Sequence, residues 1–175
     1  MPKKLKIQYI RDRLPVVYRY NQGFRWFMIF LSFLMIVYSV YFMTLFVTSD
    51  TPAFYKMMPL IICFVGLDSI LRKITSLNSI TFSHDGIRFG YIAKRSTFIT
   101  YEDIQSLELL RKVTYYMQIA YRDKDGKVRQ IKTPASFPHV LEVIFNVADL
   151  AKSAVIPEKM QGVLDYLKAS ADNEI

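Results

Sequence analysis

Cysteine occurs once in this sequence, at Cys63, so the chain can form no internal disulfide. Cys63 lies in an apolar run, where it reads as a packed or lipid-facing residue rather than a reactive thiol. Histidine is almost as scarce: His84 and His139 stand far apart, and no His, Cys or carboxylate cluster has metal-ligand spacing. The glycines form no phosphate-cradling loop, and neither a nucleophile elbow nor an HExxH pair occurs. Enzyme chemistry therefore finds no support, and no metal or cofactor is expected. Acidic residues are missing where bases are densest. Residues 1–25 carry seven Lys or Arg against Asp12 alone, whereas residues 72–175 carry 15 bases and 12 acids. A nucleic-acid binder would show its excess on the folded domain, so this placement points to a membrane surface and away from nucleic acid.

What is abundant is apolar: 52% of the 175 residues are hydrophobic. Residues 26–49 contain no charge. At about 1.5 Å per residue, 26–47 would span about 33 Å, enough for the ~30 Å hydrocarbon core. Trp26 has the character of an interfacial residue. The run is too long for a signal peptide, and no small-residue cleavage site follows it. A second run, 53–71, would span about 28 Å, just enough to cross, with a re-entrant or interfacial segment as the alternative. Its charges sit near its ends: Lys56 can snorkel, and Asp68 falls in the last turn or so. The connection TSDTP is short and implies an antiparallel hairpin. Bases precede the first run and follow the second as Arg72 and Lys73, so the positive-inside rule puts both termini in the cytoplasm. Asp68 is either a headgroup-level residue facing Arg72 one turn on, or an intramembrane polar contact lining a path.

Beyond Arg72 the pattern turns to alternation. Strands are expected over 79–83, 87–92, 96–100, 105–112, 115–122 and 128–132. His84, Asp85 and Gly86 form a turn that can use a positive-φ glycine, and residues 123–126 (DKDG) a hairpin turn. Residues 101–104 read as a corner, with Ile104 in the core and Glu102 and Asp103 placed to cap backbone N–H groups. On the strand 115–122, Tyr115, Met117, Ile119 and Tyr121 share a face. From Pro138 the period becomes helical. Val140, Ile144, Val147, Ala148 and Ala151 line one face, with Glu142, Asn146, Asp149 and Lys152 opposite. A second short helix is expected over 158–169, with Met160, Val163, Leu164 and Leu167 on one face. Short meandering strands followed by an amphipathic helix give a curled antiparallel sheet or partly open barrel, one end closed by that helix.

The run from the Asp85-Gly86 turn through Gly90 and the basic turn Lys94-Arg95 to STFITYEDIQSLEL resembles the bacterial pleckstrin-homology-like (PH-like) membrane proteins, including the YcxB-like branch. Ile104, Gln105 and Ser106 are the most specific part of that likeness. The resemblance implies an α+β membrane protein of the bacterial inner membrane. It covers roughly residues 23–152, a transmembrane hairpin (23–74, helices about 26–48 and 53–71) followed by a cytoplasmic PH-like sheet with capping helix (75–155); the basic juxtamembrane arm (1–22) and a short helical tail (156–175) lie outside it and are read from the residues alone. It carries over no catalytic residues. The expected role is a non-enzymatic interaction module, an accessory subunit or scaffold in a membrane complex. Alternatives are an anionic-lipid-binding or lipid-handling protein, and an oligomeric transporter component using Asp68. Its partners would be anionic membrane lipids and other membrane subunits or further copies of the chain. Candidate headgroup or partner contacts are Lys3, Lys4, Lys6, Arg11, Arg13, Lys94 and Arg95. The alternation at Leu5, Ile7 and Tyr9 is equally compatible with an extra strand on the sheet.

Overall fold

The structure, a computed structural model, describes residues 7–111 and 113–172. Lys3, Lys4 and Lys6 lie outside the described residues. The fold is α+β, and the described chain forms two compact units. One gathers residues 7–19, 79–90, 96–111 and 113–172; the other gathers 20–78 and 91–95.

The second unit is built on two long helices, α1 (Gln22–Phe46) and α2 (Ala53–Thr75). Both are long and apolar enough to cross a membrane, by length and composition. α1 starts earlier than the apolar run because the Asn21 side chain caps it, accepting from the Phe24 N–H at 3.1 Å. α2 continues past residue 71 into the basic pair Arg72 and Lys73, which favour a helix C-terminus. The helices meet through small and polar residues. Ser32 and Ser69 hydroxyls lie 3.1 Å apart, and Ser39 Oγ donates to the Pro59 carbonyl at 2.8 Å. A Cβ on Gly66 would lie 2.7 Å from Ile36 Cγ1, so the glycine permits the close approach. The large side chains point away: Phe30, Phe33, Val37, Leu60, Ile61 and Phe64 are all exposed. Only 11% of the most apolar stretch of each helix is buried, which is not the pattern of a soluble core helix.

The first unit contains most of two antiparallel sheets. The four-stranded sheet runs β1 (Val16–Arg19), β2 (Leu77–Phe82), β3 (Gly86–Tyr91), β4 (Thr97–Thr100), in that order. The three-stranded sheet is β5 (Ile104–Arg111), β6 (Tyr115–Arg122), β7 (Val128–Pro134). Alternate residues of both are fully buried: Ile80, Phe82, Ile87, Phe89 and Ile99 in the first, Ile104, Leu107, Met117 and Ile119 in the second. Helices α3 (Val140–Leu150) and α4 (Glu158–Asp172) follow. α4 buries Met160, Leu164, Leu167 and Ala171, with Val163 only half-buried.

Several expectations are corrected. Residues 7–19 of the N-terminal segment cluster with the sheet unit. Among the described residues the segment joins a sheet through Val16–Arg19, while Ile7 and Tyr9 stand outside any strand and Leu5 lies outside the described residues. Val16 pairs with Phe82 and Arg19 with Ser79, so in chain order the helical hairpin is inserted between two paired strands. Ile7 and Ile10 are buried, and Tyr9 packs edge-on against Phe145 of α3. Asn146, expected on the polar face of that helix, is fully buried. Its Oδ1 accepts from the Ile10 N–H at 3.2 Å, and its Nδ2 donates to the Gln8 and Glu142 carbonyls at 3.2 and 2.8 Å. The N-terminal segment thus covers the side of α3 that periodicity alone assigns to solvent. Gly86 does not serve a positive-φ turn; among the described glycines only Gly126 has one, at φ 75°. Gly86 opens β3 opposite Thr100, where a Cβ would collide with the Ile99 carbonyl. Tyr115 is exposed at the end of β6, although Met117, Ile119 and Tyr121 are buried.

The corner before β5 is held by side chains. Asp103 accepts from the Thr100 hydroxyl at 2.6 Å rather than capping an N–H, and the Tyr101 hydroxyl donates to the Ser83 carbonyl at 2.8 Å. Burial, and then the charge of Asp85, raise the Tyr101 pKa from 10.0 to about 12. The folded state favours the neutral phenol. Its contribution to stability is complete below pH 10 and is lost as pH rises toward 12. Stability followed by alkaline titration should fall above pH 10, and Tyr101→Phe should make the fall shallower. Burial also raises Tyr18 and Tyr121, so part of the slope should persist. Identical slopes in wild type and Tyr101→Phe would contradict this role.

Candidate functional site

The start of α1, the end of α2 and the turn bonded to it carry several cations within the helical unit. Arg25, in the first turn of α1, is 4% exposed. It bridges to the segment leaving α2: Nη1 donates to Asn78 Oδ1 at 3.1 Å, and Nη2 donates to Ser76 Oγ at 2.9 Å and to the Leu77 carbonyl at 2.8 Å. The guanidinium also lies 4.9 Å from the Tyr20 ring centroid. Among the described residues, no carboxylate is within ion-pair distance of it. A planar fork that presents donors from two nitrogens suits this spread of neutral acceptors better than the single nitrogen of a lysine. The Tyr20 N–H donates to the Asn78 carbonyl at 2.9 Å, closing the two feet of the hairpin together.

Around Arg25 the remaining cations are more open. Arg72 Nε donates to Asp68 Oδ2 at 2.6 Å, an exposed pair one helical turn apart. Lys73 Nζ donates to Ser69 Oγ at 2.9 Å. Lys94 and Arg95 stand exposed on the turn between β3 and β4. That turn belongs to the helical unit, and the Ala93 N–H donates to the Ile74 carbonyl at the end of α2, at 3.3 Å. It satisfies one of the carbonyls that a helix C-terminus leaves without an intrahelical donor. This part of the helical unit thus carries five cations, Arg25 at the start of α1, Arg72 and Lys73 at the end of α2, and Lys94 and Arg95 on the turn bonded to it, with Asp68 one turn before Arg72. At the other end of the helices, Lys56 Nζ donates to the Ser49 carbonyl at 2.7 Å in the connection.

Of the candidate contacts named from sequence, Lys94 and Arg95 share this unit with Asp68. Arg11 and Arg13 do not: they belong to the sheet unit, where Arg11 pairs with Asp149 at 3.2 Å and Arg13 Nη1 donates to Gln8 Oε1 at 2.8 Å. Arg25 was counted only as part of the basic flank. The sequence signal for it is an arginine in the first turn of a long apolar helix, next to Trp26. Among the described residues no three His, Cys, Asp or Glu are grouped to hold a metal ion. No family model matches the chain, and no curated protein matches it either.

Proposed function

We propose that this chain is a non-enzymatic, membrane-anchored interaction module with a PH-like cytoplasmic domain, in which α1 and α2 cross the bacterial inner membrane as a hairpin. The observation that carries the reading is the insertion of two exposed apolar helices between paired strands, with cations gathered at their joined feet. Both flanks of the hairpin belong to one folded unit. If the hairpin spans, both flanks lie on one side, and the bases make that side cytoplasmic. Four plus three meandering strands followed by a helix support the PH-like identity. Asp68, paired with Arg72 on an exposed surface, lends nothing to a transport path.

The small and polar residues that favour helix association in lipid are used within the hairpin, leaving bulky apolar side chains outside. A partner subunit would therefore engage chiefly the cytoplasmic domain. Affinity capture of the full chain from gently solubilised native membrane tests the reading. A defined complex that survives alkaline extraction of peripheral proteins and is lost when the sheet domain is cut away supports it; a lone monomer in every detergent opposes it. A second reading, recognition of anionic lipid, is favoured by Lys94 and Arg95, exposed on a turn bonded to the end of α2. Their replacement by Gln should reduce the anionic lipid retained by the purified chain.

A further inference from the structure

We infer that the tip of the β5–β6 hairpin is a second membrane contact, docking on the anionic surface of the bilayer that holds the chain. This rests on the membrane reading above. The two connections of the three-stranded sheet differ in chemistry. Between β6 and β7 runs an ordinary polar turn, Asp123 to Gly126, with its glycine at positive φ and its Gly126 N–H donating to the Asp123 carbonyl at 2.8 Å. Between β5 and β6 stands Val113, 94% exposed, a β-branched apolar residue where turn chemistry favours Gly, Asn, Asp or Ser.

Its neighbours continue the pattern. Tyr115 is 49% exposed, and Arg111, its cross-strand partner, stacks with the guanidinium 5.3 Å from the ring centroid. On the adjoining strand, Lys132 Nζ lies 5.7 Å from the Tyr116 ring centroid. Among the described residues neither Arg111 nor Lys132 has an ion-pair partner. An exposed aliphatic side chain, tyrosines with an apolar body and a polar tip, and two cations free for phosphate are what an acyl–headgroup boundary selects. None of these features is used by the sheet's core, whose inward residues on β6 are Met117, Ile119 and Tyr121. The cations make the contact one for anionic rather than neutral lipid, and the tether keeps the tip at high local concentration over the surface.

The test uses the full chain with Cys63→Ser, reconstituted in nanodiscs of phosphatidylcholine alone or with phosphatidylglycerol, and an environment-sensitive fluorophore on Val113→Cys. Reference probes sit on Phe33→Cys in α1 and on Gly126→Cys at the polar turn. In anionic discs the residue-113 probe should shift to the blue and be quenched by headgroup-proximal spin-labelled lipid, while the residue-126 probe stays water-like. Arg111→Gln with Lys132→Gln should reverse the shift at 113. A water-like residue-113 probe in anionic discs, with the residue-33 probe quenched, would overturn the second contact and leave the hairpin anchored. An equal shift in neutral discs would overturn the headgroup recognition. If the residue-33 probe is itself unquenched, the membrane reading fails and this inference with it.

Discussion

Arg25→Ala is expected to destabilise the protein by about 3 kcal/mol. The guanidinium is the donor to Asn78, Ser76 and the Leu77 carbonyl, and the last of these bonds is buried. Removing the donor leaves a buried acceptor unmatched, at about 1–3 kcal/mol, and each lost hydrogen bond to a charged group contributes about 1.5–3 kcal/mol before compensation by water. Part of the loss is recovered because the desolvation cost of the buried cation also disappears. Arg25→Lys should fall between, since an ammonium keeps the charge but presents its donors from one nitrogen and cannot reproduce the planar fork of Nη1 and Nη2. The loss should appear in thermal unfolding in detergent micelles and as faster amide exchange at Tyr20, whose N–H bonds Asn78 across the hairpin's feet. An unchanged melting temperature with unchanged exchange would show that Arg25 does not fasten the hairpin.

Ile104→Ala should cost about 2–5 kcal/mol, the range for truncating a buried isoleucine. Ile104 is fully buried at the start of β5, opposite Tyr121, immediately after the corner fixed by Thr100, Asp103 and Tyr101. The cavity would open where the chain passes from one sheet to the other, and neighbouring strands have little freedom to collapse into it. Ile104→Val should cost about 0.5–1.5 kcal/mol. Equal melting temperatures for wild type and Ile104→Ala would remove Ile104 from the core.

The elements legible in the sequence were those whose periodicity is local. The charge-free run gave α1; alternation gave β4 and β6 with nearly their observed limits, and the corner at 101–104 pointed to the buried Ile104. What stayed hidden depends on residues far apart in the chain. β1 is four residues long, and only pairing with β2, sixty residues on and beyond both long helices, makes it a strand. Asn146 reads as a surface residue until Gln8 and Ile10 are seen to use its amide from 136 residues away or more. Gly86 invites a positive-φ turn, while its real constraint is a carbonyl on the neighbouring strand. The cation cluster was half visible: Arg72, Lys73, Lys94 and Arg95 could be named, but their union with Arg25 needs the β3–β4 turn bonded to the end of α2.

The central claim is that the hairpin crosses the membrane and returns, leaving one folded domain on the cytoplasmic side. Cysteine accessibility in intact cells tests it most directly, using the full chain with Cys63→Ser and single cysteines at Thr51 in the α1–α2 connection and at Lys159 in α4. With a membrane-impermeant maleimide, the residue-51 cysteine should label in intact cells and the residue-159 cysteine only after the cells are opened. Labelling of residue 159 in intact cells, or protection of residue 51 until the membrane is breached, would contradict the account.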